Sequence, residues 1–149
     1  MMVSRWRGFW LCLSLLFSTL TVVAQTPPAD TVQTASGLRY LVATPGTGAT
    51  PQPGDKLVVE YSGFLPSGKV FDSSAVDGHP LRLRVGRSEV IKGWDEVLLL
   101  LPAGTRARVW IPAALAYGAK GARDPDDDSR YLIPPNTDLV FDLTVVKVR

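Results

Sequence analysis

The chain has 149 residues, 16 basic against 14 acidic, with one histidine and one cysteine. That length suits a single domain with apolar content ample for one core of ordinary size. Charge is nearly balanced, with no basic stripe or arginine cluster, which argues against a nucleic-acid partner.

The first residues, MMVSRWRGFWLCLSLLFSTLTVVAQT, read as a targeting segment. Arg5 and Arg7 form a basic start, Phe9 to Val23 an apolar run, and VVA before Gln25 offers the small side chains of a cleavage site. The run is short against the about 20 apolar residues a spanning helix needs. We therefore expect residues 1–24 to be a cleaved signal peptide and the mature protein to keep no membrane span. Cys12 lies inside this segment, so the mature chain would carry no thiol or disulfide. Loss of Arg5 and Arg7 would leave 14 basic and 14 acidic residues. Residues 25–35, polar with a proline pair, read as a flexible linker.

From Ser36 the pattern is strand-like. Leu38, Tyr40 and Val42 alternate in GLRYLVA, and Leu57, Val59 and Tyr61 in KLVVEYSGFL. LRLRV is an in–out strand with Arg82 and Arg84 facing water. In EVIKGWDEVLLLLPAG, Trp94, Val97, Leu98 and Leu101 share one helical face, and Pro102 and Gly104 end the helix. TRARVWI and DLVFDLTVVKV supply the last two strands, the latter long and central. The expected fold is α+β: an antiparallel, curled sheet of about five to six strands wrapped around one short α-helix. Trp94 must then face the sheet and not water.

Familiar chemistry is poorly supplied. His79 beside Pro80 reads as a surface residue, which leaves no serine–histidine–aspartate set. DPDDD (124–128) lacks the turn glycine and distal glutamate of a calcium loop. No metal or cofactor is expected. What remains is a set of aromatic, apolar and acidic residues: Tyr61, then Phe71 and Asp72 in VFDSS, Val90, Ile91 and Trp94 in EVIKGW, Tyr117 in ALAYGAKG, and Ile133 and Phe141 in LIPPNTDLVFD.

In type and order these motifs resemble the FKBP family of peptidyl-prolyl cis–trans isomerases, over Ser36 to Arg149. The resemblance implies a curled antiparallel sheet around one short helix, with the tryptophan as the floor of an apolar pocket. It implies catalytic roles for Tyr61, Asp72, Trp94 and Tyr117, and substrate contacts from Phe71, Leu81, Val90, Ile91, Ile133 and Phe141. Its partners would be X-Pro segments of unfolded or flexible polypeptides, and macrolide inhibitors would compete for the pocket. A second reading keeps the pocket but gives it weak turnover, as a module that holds a partner's proline loop. An exported monomer in a bacterial envelope space is expected.

The sequence departs from the family pattern in three places. Leu81 stands where a bulky aromatic is common, so the pocket wall is lowered there. Val97 replaces a frequent glycine. The segment between AYG and IPP, residues 119–135, is several residues longer than in a minimal domain and acidic at its middle. It reads as a solvated flap at the pocket rim.

Overall fold

The computed structural model describes residues 30–149. The expected signal peptide (1–24) and the start of the linker lie outside the described residues. The linker's end is not a free tether. Strand β1 (Val32–Gln33) pairs with β2 (Arg39–Thr44), Val32 opposite Tyr40. The sequence shows no signal for a two-residue strand, because its hydrogen bonds are supplied by the neighbour.

The chain continues through β3 (Lys56–Phe64), β4 (Val70–Ser73), a one-turn helix α1 (Ser74–Asp77) and β5 (Leu81–Arg84). Helix α2 (Lys92–Leu98) and β6 (Arg106–Ile111) follow. A hairpin of β7 (Ala122–Asp124) and β8 (Asp127–Ile133) then precedes the ten-residue β9 (Leu139–Val148). The main sheet is antiparallel, with seven strands in the order β1-β2-β6-β9-β3-β4, and β5 also on β3. The count exceeds the expected five to six because β1 and the short β4 each add an edge.

β9 lies between β6 and β3, as its length and apolar alternation require. Leu139, Phe141, Leu143 and Val145 point to the core, and Asp142 and Thr144 to the other face. On β2 the expected alternation is cut short: Leu38 is buried, but Val42 is exposed near the end of the strand.

α2 fills the concave side. Trp94, Val97, Leu98 and Leu101 are all at most 3 % exposed. That burial removes three or four large side chains from water, each worth about 1.5–3 kcal/mol. The helix begins at Ile91 with no side-chain cap, so its first turn is held by packing. Gly93 makes the close approach possible, since a Cβ there would lie 2.5 Å from Ile111 Cγ2. Val97, the residue in place of a frequent glycine, is fully buried without disturbing the helix. The expected flap is solvated at its tip, Asp126, Asp128, Ser129 and Arg130 being exposed, but it is a β7–β8 hairpin and not a loop, closed by Arg130 against Asp124 (3.5 Å) and Asp127 (3.9 Å).

Candidate functional site

Trp94 lies under a cluster of rings. Its centroid is 5.1 Å from that of Tyr61 and 5.3 Å from that of Phe141, both edge-to-face. Phe71 stands edge-on to Phe141 at 5.6 Å. Such contacts satisfy the ring quadrupoles and fix ring orientation. The indole Nε1 has no hydrogen-bond partner among the described residues, so packing alone orients the ring. Ile133 is buried in the same core, while Leu81, Val90 and Ile91 pack against it with part of their surface open. The structure thus joins Tyr61, Phe71, Trp94 and Phe141 in one aromatic cluster with Asp72 at its edge, while Leu81, Val90, Ile91 and Ile133 belong to or pack against the same core. Tyr117 is more exposed and close enough to Asp72 to feel its charge.

Two polar features border this apolar floor. The Tyr61 hydroxyl donates to Asp72 Oδ2 at 2.7 Å. Burial, then the bond and the charge of Asp72, push the Tyr61 phenol well above its ordinary range. Burial also raises the Tyr117 phenol, with a smaller contribution from Asp72. Both phenols, neutral at neutral pH even without these shifts, therefore keep their protons further into alkali.

Several residues outside the expected set hold this geometry. Ser73 and Ser74, both buried, grip the Tyr61 backbone. Ser74 Oγ accepts from Tyr61 N at 3.0 Å and donates to Tyr61 O at 3.3 Å, and Ser73 Oγ donates to the same carbonyl at 3.2 Å. Asp95, in the first turn of α2, accepts from Gly86 N (2.8 Å) and Ser88 N (2.9 Å), which fixes the loop leading to Val90 and Ile91. Ser88 has φ +56°, a conformation that this anchoring sustains. Gly63 lies beneath the two phenylalanines: a Cβ there would be 2.6 Å from Phe71 Cζ and 2.8 Å from Phe141 Cε1. Asp138 accepts from Ala113 N, and Asn136 N donates to Gly118 O, so the strand-β9 approach steadies the loop bearing Tyr117.

An open concavity of about 910 Å³ is lined by Glu60, Arg106, Arg108, Asp142 and Thr144 of the outward sheet face and, at its edge, by Tyr61, Ser73 and Ser74. It lacks clustered rings, and Arg108 there is spent on a bidentate pair with Asp142 (2.7 and 2.8 Å). The aromatic corner is the arrangement that can enclose an apolar ring in a water-poor site.

The model of the family described as FKBP-type peptidyl-prolyl cis-trans isomerase matches residues 48–146. The chain is 43% identical over 106 residues to FK506-binding protein 1 of Saccharomyces cerevisiae, covering 70% of this chain and 87% of that protein. It is 42% identical over 114 residues to outer membrane protein MIP of Legionella longbeachae, covering 76% of this chain and 45% of that longer protein. The crystal structure of AtFKBP13 superposes with a TM-score of 0.74 at 36% identity, over 80% of this chain and 99% of that one.

Proposed function

Because this chain belongs to the FKBP-type peptidyl-prolyl cis-trans isomerase family, and is such an isomerase, we propose that it turns X-Pro bonds of exported polypeptides in the pocket above Trp94. The observation that carries this reading is the ring cluster of Trp94, Tyr61, Phe71 and Phe141 with the Tyr61–Asp72 bond at its edge.

The X-Pro amide resists rotation because resonance stiffens its C–N bond, with a barrier of about 18–20 kcal/mol. Uncatalysed exchange takes tens to hundreds of seconds. No covalent bond breaks, so no nucleophile or metal is needed. The twisted amide has lost resonance and its carbonyl is less dipolar, so an apolar site disfavours the planar form relative to it. In this reading the proline ring rests on the Trp94 face among Phe71, Phe141, Val90 and Ile91. The Tyr117 hydroxyl donates to a substrate carbonyl, and Asp72 fixes Tyr61 while its carboxylate faces the rotating amide. A 10⁴-fold acceleration asks for roughly 5–6 kcal/mol, a range that desolvation and one or two hydrogen bonds supply.

The ligand named for the yeast relative, FK506, would occupy the same pocket, with Leu81 giving a lower wall. Export through residues 1–24 and action as a monomer in an envelope space complete the proposal. It is supported by the N-terminal sequence pattern and the outer-membrane relative; no helix among the described residues is long and apolar enough to cross a membrane. Exchange of X-Pro peptides, followed with the parent and with Asp72→Ala and Trp94→Leu, tests the pocket. Fast exchange lost in both folded variants and blocked by FK506 is expected. Full activity in both would remove the pocket from the mechanism.

A further inference from the structure

Four cations from three segments distant in sequence meet on the outward face of the sheet. Strands β5, β3 and β9 run side by side, with Arg82 and Lys147 both opposite Val58, and Arg84 opposite Lys56. Lys56, Arg82, Arg84 and Lys147 are all exposed. With strands about 4.8 Å apart and alternate residues about 7 Å apart, the four charges spring from a patch about 10 Å across. The sequence shows no basic cluster because the fold, not proximity along the chain, builds this one.

None of the four is in an ion pair among the described residues, whose ion pairs join Arg108 to Asp142 and Arg130 to Asp124 and Asp127. The nearby carboxylates are Glu60, four residues along β3 from Lys56, Glu89, which accepts from Arg84 N, and Asp55, which accepts from Gln52 N. Like charges directly opposite on a sheet destabilise the pair, and Lys56 with Arg84 is such a pair. Protection of an edge strand accounts for Arg82 and Arg84 on β5, but not for Lys56 and Lys147 on interior strands.

The charges are also segregated. Four aspartates crowd residues 124–128 of the hairpin, and Asp72 meets Tyr61 near the far end of β3. Lys56 begins that strand, five residues from Tyr61, or about 17 Å. Continuing from the grid, the same outward face carries Arg106, exposed and unpaired among the described residues, at the 910 Å³ concavity.

We propose that the β5–β3–β9 face is a docking surface for an anionic lipid bilayer. A grid spread over three sheet strands suits a plane of phosphate headgroups, and Val146, exposed beside Lys147, adds an apolar contact. Binding is electrostatic and reversible, since each cation near such a surface contributes about fivefold.

The test co-sediments the full chain with vesicles of phosphatidylcholine alone and of phosphatidylcholine with phosphatidylglycerol. The neutral vesicles report binding through the apolar N-terminal segment; because Arg5 and Arg7 of that segment also favour anionic lipid, the part of the anionic excess lost in the grid variants reports the grid. We expect an excess that disappears at about 0.5 M salt, where charges are screened within a few ångströms. Arg82→Ser with Arg84→Ser should lower it about 25-fold and Lys147→Ser about fivefold, with peptide isomerisation and thermal midpoint retained. Arg123→Ser, on the hairpin, should leave it unchanged. No excess, or an excess indifferent to the grid variants, overturns the proposal. So does grid-dependent binding of soluble polyglutamate without vesicle binding, which would assign the face to an acidic polypeptide.

Discussion

The Tyr61 hydroxyl reaches Asp72 Oδ2 at 2.7 Å although the two residues are not opposite each other: Asp72 pairs with Gly63. The bond is diagonal across β3 and β4, and the missing side chain at Gly63 leaves room for Phe71 and Phe141 beside it. Asp72 is exposed, so its removal should cost little stability. Asp72→Ala should lower kcat/KM about tenfold, the scale of one charge-assisted hydrogen bond, with a thermal midpoint within a few degrees. Peptide exchange kinetics and calorimetry check both halves. Tyr61→Phe should fall in the same range, and the double variant should lose less than the product of the two, because both remove one bond.

The same bond has a consequence in alkali. Tyr61 and Tyr117 are held neutral above the ordinary phenol range. Their folded values are raised, so the stability they contribute is fully present below the unfolded tyrosine value, near 10. It is lost as pH rises from there towards the folded values. Unfolding free energy should therefore decline above pH about 10, and less steeply in Tyr61→Phe. A tyrosinate absorbance titration of the native chain should show late-ionising phenols, one fewer in Tyr61→Phe. Ionisation of Tyr61 in the ordinary range would remove the buried, Asp72-bonded tyrosine from the account.

Ser74 is placed to be a positioning residue. Its hydroxyl serves both backbone groups of Tyr61 and reaches no other side chain. Ser74→Ala should cost about 1–3 kcal/mol, as it leaves a buried N–H without its partner. If it acts through Tyr61, kcat should fall while KM for a short peptide holds. A loss of stability with unchanged kcat would make the contact structural only.

The fold was largely legible because its elements are amphipathic in the simplest way. Trp94, Val97, Leu98 and Leu101 keep helical spacing and are all buried, and the alternation of β9 marked it as interior. The pocket residues were legible only as an ordered set, since an isolated Tyr61 or Phe141 looks like any core aromatic. The supports stayed hidden for a physical reason. Ser73, Ser74 and Asp95 act through backbone atoms of residues 7 to 13 positions away, a relation that periodicity does not encode. Strand β1 and the hairpin β7–β8 were missed because partner strands and short-range side-chain bonds form them, while local composition reads as linker or loop.

Gly63 offers a sharper test of packing. A methyl group there meets Phe71 and Phe141 at separations that Cβ atoms do not tolerate. Gly63→Ala should therefore displace both rings and cost about 1–3 kcal/mol, a fall in thermal midpoint of several degrees. Substrate KM should rise because the pocket wall moves. An unchanged midpoint and KM would mean that the rings have slack the structure does not suggest.

Shortening the hairpin tests whether it acts on client choice apart from catalysis. Its base is tied to the core: Gly121 N donates to Tyr117 O, and β8 ends on buried Ile133. Its tip is tied by exposed bonds, Arg130 to two aspartates and Asp126 N to Asp124 Oδ1. Exposed ion pairs contribute about 0–1 kcal/mol, and shortening a surface loop costs little. Replacing residues 124–130 by a short glycine-containing turn should thus leave the thermal midpoint within a few degrees. If a tetrapeptide binds on the floor proposed around Trp94, its exchange should stay within about twofold. If longer chains also meet the acidic tip, their refolding rate should change about threefold or more, most for basic clients and less at high salt. Unchanged rates for both substrates would make the longer segment a neutral insertion.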